Sequence, residues 1–267
     1  MRRPLPLESL LRRPDLGVGA ALALLVTLAW LQLTSYEAVS GQAAAAHAAH
    51  AGHAMADSWG VAQLGVTLLM WLTMSVAMML PTAAPAILAF ADITCGSGRK
   101  LAPAGPLGAF VGGYLTVWAG FAMLATAAQW ALAGLANRLP VFHASGQAFG
   151  GALLVAAGVY QFSALKERCL TQCRSPLAFF LAHWRAGTRG AFHLGQRHGV
   201  HCLGCCWALM TLMLIGGAMS LAWTAALAAV MLFEKAAPGG RVFGRAVGAG
   251  LIGWGGALLG AAFHTSA

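Results

Sequence analysis

Long uncharged runs dominate the hydrophobic pattern of the chain. Each run is mainly apolar and exceeds the roughly 18–20 residues that cross a bilayer as an α-helix. The runs lack the alternation typical of transmembrane β-strands, so helices are the remaining way to satisfy their backbone polar groups in lipid. The runs are 16–36, 58–91, 101–137, 139–165, 198–233 and 246–267. This pattern predicts an all-α fold, a polytopic transmembrane helix bundle of about six spans.

Two of these runs are longer than one span needs. The second contains Pro81 and Pro85, which are expected to kink a helix. The fifth contains Gly216-Gly217 near its middle, where the chain could turn back as a re-entrant or seventh segment. Such a turn would return Lys235 to the side of the membrane on which the run begins. We keep it as the alternative to a single span.

Composition and charge agree with a membrane protein. Hydrophobic residues make up 59% of the chain and charged residues 9%, whereas a soluble domain carries about 25% charged residues. The net charge of +9 does not indicate a nucleic-acid partner, because the basic residues lie in short connections between the runs. Twelve of the sixteen Lys and Arg residues precede the first run or follow the second or fourth run: Arg2, Arg3, Arg12, Arg13, Arg99, Lys100, Lys166, Arg168, Arg174, Arg185, Arg189 and Arg197.

The positive-inside rule places those connections and the N-terminus in the cytoplasm. We therefore predict a multi-pass protein of the bacterial inner membrane, with one transmembrane domain over 1–267. The first run is interpreted as a retained signal-anchor helix, because its apolar core of about 18 residues exceeds the usual 7–15 of a signal peptide.

Two connections have a distinct composition. The segment 34–57 is predicted to be an external loop, and its histidines His47, His50 and His53 are candidates for capturing a metal ion. A solvated alanine-rich linker would look the same. The segment 166–197 is predicted to be a basic cytoplasmic loop, in which "SPLAFFLAHW" forms a short amphipathic helix at the membrane surface.

The six cysteines fall near predicted cytoplasmic boundaries, where a reducing environment keeps them as thiols. Cys169 and Cys173 are four residues apart, as are Cys202 and Cys206, so each pair shares one helix face. Two such faces could give four thiolates to zinc or fewer to Cu(I). Further candidate ligands beside the second pair are His198, His201 and Cys205. The spacing therefore predicts a metal site, provided that the two faces meet.

Two other readings of the cysteines stay open. Cys202 and Cys205 form a C-x-x-C motif, which is typical of dithiol redox proteins. No thioredoxin-like βαβ pattern surrounds it. Cysteines also pack as small hydrophobic residues, as expected for an assembly subunit without chemistry of its own.

Methionines mark a second candidate site. Met74 and Met78 lie on one face of the second run, with Met79 beside them just before Pro81. Thioethers are soft ligands that select Cu(I), so this stripe is a candidate copper path within the membrane. Ordinary core packing is the alternative.

The pair Glu234-Lys235 ends the fifth run and is a candidate for an ion or proton pathway. It could equally be an interfacial anchor whose charges remain in water. The chain contains neither a G-x-x-x-x-G-K-[ST] phosphate loop nor an H-E-x-x-H motif, so the sequence does not favour an enzyme. Glycine pairs such as Gly108/Gly112 and Gly244/Gly248 have the small-xxx-small spacing that lets membrane helices pack closely.

Four stretches resemble one bacterial family, the predicted metal-binding integral membrane proteins of unknown function. They are "MSVAMMLPTAAP" (74–85), "YQFSALKERCLTQCRSP" (160–176), "HCLGCCWALM" (201–210) and "FEK" (233–235). The resemblance covers roughly 58–260 and leaves out the His-rich segment. It implies a metal but names neither the ion nor an activity.

The leading hypothesis is a membrane protein that binds a transition metal, copper first and zinc second, for transport or delivery. Met74, Met78 and Met79 would form a site within the membrane, separate from the cytoplasmic cysteine and histidine site. Its expected partners are the lipid bilayer, the metal ion, and a metallochaperone or a membrane complex. The alternatives are a membrane thiol oxidoreductase that uses Cys202 and Cys205, or an assembly subunit.

Overall fold

The structure is a computed structural model that describes residues 14–49, 60–95, 104–138, 146–214 and 220–266. Within these ranges it contains helices and no strand, which confirms the all-α prediction. The helices are α1 Pro14–Ala49, α2 Val61–Cys95, α3 Ala104–Arg138, α4 Gly146–Tyr160, α5 Ala164–Arg174, α6 Pro176–His183, α7 Gly187–Thr211, α8 Leu221–Ala236 and α9 Gly240–Ser266. A single 3-10 turn, Leu212–Leu214, follows α7.

Four described helices are long and apolar enough to cross a membrane. Helices α4 and α5 form a broken fifth candidate, bent by 62°. The candidate segments are Leu16–Ala38, Val61–Cys95, Ala104–Leu135, Gly240–Phe263 and the pair Gln147–Tyr160 with Ala164–Arg174. About six spans were predicted, and the described residues contain four or five candidates, because the run 198–233 is divided between α7 and α8 and neither helix is a candidate.

Helices α7 and α8 form a hairpin. Lys235 Nζ lies 2.9 Å from Cys202 Sγ, although 33 residues separate them. A continuous helix would place those residues about 50 Å apart, at 1.5 Å per residue. The chain therefore reverses between the two helices, as in the re-entrant alternative. Gly216-Gly217, where the turn was expected, lies outside the described residues.

Both predicted loops contain more helix than expected. Helix α1 continues through Ala49, where a loop was predicted from residue 34, because its alanine-rich end has high helix propensity. The segment 166–197 holds most of α5, all of α6 and the start of α7. The predicted short helix is α6, and it buries Phe179 and Phe180.

Close approach of α3 and α7 depends on two glycines. A Cβ added at Gly113 would overlap the carbonyl of Phe192, and one at Gly195 would overlap the carbonyl of Phe110. The predicted pair Gly108/Gly112 was wrong as a contact, since added Cβ atoms there meet nothing within 4 Å. The packing prediction holds at Gly248, where an added Cβ would lie 3.0 Å from the carbonyl oxygen of Gly158. Spacing identified the kind of contact but not the helix face.

Replacing Gly113 with alanine is expected to destabilise the bundle, because α3 and α7 must separate to admit the methyl group. Overpacking of this kind costs about 1–3 kcal/mol, which corresponds to a lower Tm by about 3–10 °C. Thermal unfolding of the purified protein in detergent measures the change. Gly112→Ala is the matched control and is expected to leave Tm unchanged or slightly higher. Equal Tm values for the two variants would contradict the packing model.

Candidate metal centre

Three cysteines of α7 lie in the interior of the bundle. Cys202, Cys205 and Cys206 are each 1% exposed. Helix α5 packs across α7 and places the Cys173 thiol beside those of Cys202 and Cys205. The two predicted cysteine faces therefore meet.

Cys169 lies at the edge of this group. A Cβ added at Gly204 would lie 2.6 Å from Cys169 Sγ, so the glycine lets α5 approach α7 closely. The Tyr160 hydroxyl donates a hydrogen bond to the Gly204 carbonyl and holds this crossing from the end of α4. Cys169 also lines an apolar cavity of about 560 Å³ beside Trp207.

Helix α2 contributes a methionine to the same group. Met79 Sδ lies 3.7 Å from Cys206 Sγ, and both side chains are buried. The helix continues through Pro81 and places Met79 near its midpoint. Met74 and Met78 are also buried, as members of the surrounding core. The structure thus joins Met79 to the cysteines in one place, where the sequence suggested two separate sites.

A positive charge lies against this sulfur group. The Lys235 ammonium is 2.9 Å from Cys202 Sγ and donates to Thr82 Oγ1 at 3.1 Å. The Tyr114 hydroxyl is 3.2 Å from the same sulfur and donates to the Met79 carbonyl at 2.9 Å. An adjacent cation favours the thiolate form of a cysteine, which is the form that binds metals. The interfacial-anchor reading of Lys235 was therefore wrong.

The surroundings of His198 and His201 differ. Both residues lie on α7, which is not one of the candidate membrane spans. Burial lowers the pKa of His198 to about 4, so its imidazole is neutral at neutral pH. Its Nδ1 atom is buried without a hydrogen-bond partner. The half-buried His201 also has a lowered pKa, first through burial and then through the nearby Arg197 charge. Of the two, His198 is the one with a buried ring nitrogen that has no hydrogen-bond partner.

A second layer of polar groups joins α5 to α8. Lys166 Nζ and Glu234 Oε2 form a buried ion pair at 2.7 Å, and Gln161 Nε2 donates to Glu234 Oε1 at 3.0 Å. Arg174 donates to the backbone carbonyls of Glu234 and Ala237. Because Cys173 precedes Arg174 and Lys235 follows Glu234, these bonds keep the sulfur group and its cation together.

The donor set fits a soft ion. Cys173, Cys202, Cys205, Cys206 and Met79 supply five sulfur atoms, which we call the sulfur cluster. Sulfurs bound to one metal at about 2.3 Å with a tetrahedral angle lie about 3.8 Å apart, close to the 3.7 Å between Met79 and Cys206.

The structure does not show a complete set of converging ligands. Among the described residues, no group of three or more His, Cys, Asp or Glu side chains is arranged to hold an ion. The thiols of Cys205 and Cys206 instead donate to the Cys202 carbonyl at 3.0 and 2.8 Å. Their side chains must rotate before they can bind a metal.

Comparison with known proteins identifies the family. The model of the PpoB2 family, described as a copper chaperone, matches residues 68–258. The chain belongs to this copper chaperone family. Nothing among the curated proteins or the solved structures matches it. The matched range contains the whole sulfur cluster, and the family description supports copper binding and delivery.

For a copper chaperone family, sulfur-rich chemistry is appropriate, because Cu(I) prefers thiolate and thioether ligands. The predicted external capture site lies largely outside the described residues, which omit His50 and His53. His47 falls within the backbone of α1. Their capture of a metal ion stays a prediction.

Sequence reasoning missed several residues around the candidate metal centre. Tyr114 and Thr82 contact the cluster or its cation, but each lies in an apolar run without any pattern that marks it. Lys166 and Gln161 were missed as partners of Glu234. The opposite charges at the ends of two runs, Lys166 and Glu234, were the one available signal.

Removing one partner of the buried ion pair is expected to destabilise the protein strongly. Lys166→Met leaves the Glu234 carboxylate buried without its cation, at a cost of about 3–5 kcal/mol. The matched control is Glu167→Gln, which breaks the exposed Glu167–Arg241 pair and is expected to cost less than about 1 kcal/mol. Thermal unfolding in detergent compares the variants. Equal losses would show that the buried pair does not hold α5 against α8.

Proposed function

We propose that this protein is an integral membrane copper chaperone that holds Cu(I) in its sulfur cluster. The observation that carries the proposal is the convergence of α2, α5 and α7. These helices bring Met79, Cys173 and three further cysteines into one buried group. His198 is an auxiliary ligand, since its unpartnered Nδ1 lies in the same region.

The cluster favours Cu(I) over zinc by its chemistry. A thioether is a ligand for Cu(I) and little used by zinc, which prefers four thiolate or imidazole ligands in a tetrahedron. Met79 Sδ lies 3.7 Å from Cys206 Sγ. A Cu(I) ion bound by Cys206, Met79 and Cys202 has a soft ligand set, with Lys235 stabilising the Cys202 thiolate.

Delivery requires a ligand that a partner can reach. Cys202, Cys205 and Cys206 are buried, and Cys173 is the least buried residue of the four cysteines in the sulfur cluster. We therefore assign Cys173 the role of the exchange ligand, which passes copper between the buried sulfurs and a metallochaperone or membrane complex. The Arg174 bonds to α8 keep this thiol beside the cluster.

The dithiol alternative has one observation in its favour, the Lys235 ammonium beside Cys202. Thiol–disulfide exchange with a protein needs an accessible sulfur. Cys202 and Cys205 are each 1% exposed, so a protein disulfide cannot reach the C-x-x-C pair in this arrangement. Copper binding is the better account of the same residues.

Copper affinity of the purified, reduced protein tests the proposal by competition with a chromophoric Cu(I) chelator. Cys206→Ser and Met79→Leu each remove a sulfur, and each is expected to weaken Cu(I) binding at least about tenfold. X-ray absorption of the wild-type copper complex is expected to show sulfur as the main ligand.

The matched controls are Cys95→Ser and Met70→Leu, because both residues are buried in α2 away from the contacts of the cluster. They are expected to retain wild-type affinity. Unchanged affinity in Cys206→Ser and Met79→Leu, or stoichiometric zinc in place of copper, would refute the assignment.

The proposed location is the bacterial inner membrane, with the N-terminus and Cys173 facing the cytoplasm. A variant that retains Cys173 as its single cysteine tests this placement with a membrane-impermeant thiol reagent. Labelling is expected in inverted membrane vesicles and not in intact spheroplasts. Labelling from the outside of spheroplasts would reverse the proposed orientation.

A further inference from the structure

Lys235 is a buried cation at a site proposed to bind another cation. Its side chain is 9% exposed, and its ammonium contacts Cys202 Sγ and Thr82 Oγ1. A buried ammonium is unfavourable unless a negative group compensates it. The ammonium favours the Cys202 thiolate, but it also repels any cation that this thiolate binds.

Among the described groups near Lys235, the cysteines are left to supply the negative charge that compensates its ammonium. Its neighbour Glu234 is engaged by Lys166 and Gln161. Arg174 contacts backbone carbonyls and adds no negative charge. His198 packs against the ring of Tyr114, and an imidazole supplies no negative charge. The positive charge of Lys235 therefore acts directly on any ion that the sulfur cluster binds.

We propose that Lys235 is a specificity-determining residue that makes the sulfur cluster select a monovalent over a divalent soft ion. This inference rests on the proposed function. Coulomb repulsion from the ammonium is twice as large for a divalent ion at the same position. The charge of Lys235 thus opposes Zn(II) more strongly than Cu(I).

The net charge of the occupied site also favours a monovalent ion. One thiolate beside the Lys235 ammonium is a neutral pair. When Cu(I) binds and one further thiol releases its proton to solvent, two thiolates, one ammonium and one Cu(I) ion again sum to zero. A divalent ion with the same two thiolates leaves one uncompensated positive charge in a buried site, which is costly. The site with a divalent ion becomes neutral only when a second thiol also releases its proton.

The ratio of Cu(I) to Zn(II) affinity tests this selection in the full-length protein. Both affinities are measured by chelator competition under reducing, anaerobic conditions. Lys235→Met removes the charge and is expected to lower the Cu(I)/Zn(II) ratio at least about tenfold. Lys235→Arg keeps the charge and is expected to keep most of the selectivity.

Arg241→Met is the matched control, because it removes a positive charge from the exposed Arg241–Glu167 pair rather than from the cluster. It is expected to leave the ratio unchanged. If Lys235→Met weakens both affinities in the same proportion, Lys235 only supports the structure and the inference is overturned.

A measurement on the wild-type protein covers the case in which Lys235→Met does not fold. Ag(I) and Cd(II) are both thiophilic but differ in charge. Ag(I) is expected to displace Cu(I) from the protein, and Cd(II) at equal concentration is not. Equal displacement by the two ions would overturn the inference.

The two proposals fail in different ways. A wild-type protein that binds no Cu(I), or whose binding survives loss of the cluster cysteines, refutes the proposed function. Intact Cu(I) binding with an unchanged Cu(I)/Zn(II) ratio in Lys235→Met refutes the role of Lys235 alone.

Discussion

The contact between the Lys235 ammonium and the Cys202 sulfur joins the two arms of the α7–α8 hairpin. Neither a buried ammonium nor a buried thiolate is favourable alone, so each group stabilises the other in the interior. Thr82 extends the contact to α2, and Tyr114 extends it to α3. The position of four helices thus depends on one polar pair within an otherwise apolar bundle.

Glycines make the remaining geometry possible. Gly195 lets the backbone of α7 approach α3, and Gly204 does the same for the side of α7 that faces Cys169. Both residues lie on the helix that carries three cysteines. If side chains separated these helices, the sulfur atoms of α5 and the Tyr114 hydroxyl would be withdrawn from Cys202. Small residues therefore determine the site as much as the ligands do.

The features that depend on local sequence pattern were predicted correctly. The uncharged runs indicated helices, and the four-residue spacing of Cys169/Cys173 and Cys202/Cys206 indicated two faces that do meet. Contacts between distant segments were not predictable. Met79 and Cys206 are 127 residues apart, and no periodicity in either helix specifies which faces pack together.

Lys235 was misread as an interfacial anchor because contacts between distant segments were not predictable. A lysine at the end of an apolar run usually extends towards water. Its burial here follows from the reversal of the chain after α7, which spacing along one helix does not reveal. Glu234 was noticed, but its partners lie 68 and 73 residues earlier in the chain.

The hydrogen bonds from Cys205 and Cys206 to the Cys202 carbonyl bear on how these two thiols could become ligands. Both thiols satisfy their donor groups on their own helix and need neither an ion nor water. Their arrangement is therefore complete within α7. Recruiting either thiol to an ion would need rotation of its side chain about single bonds, while the helices could keep their positions. A site built in this way could gain and lose an ion without unfolding the interior of the bundle.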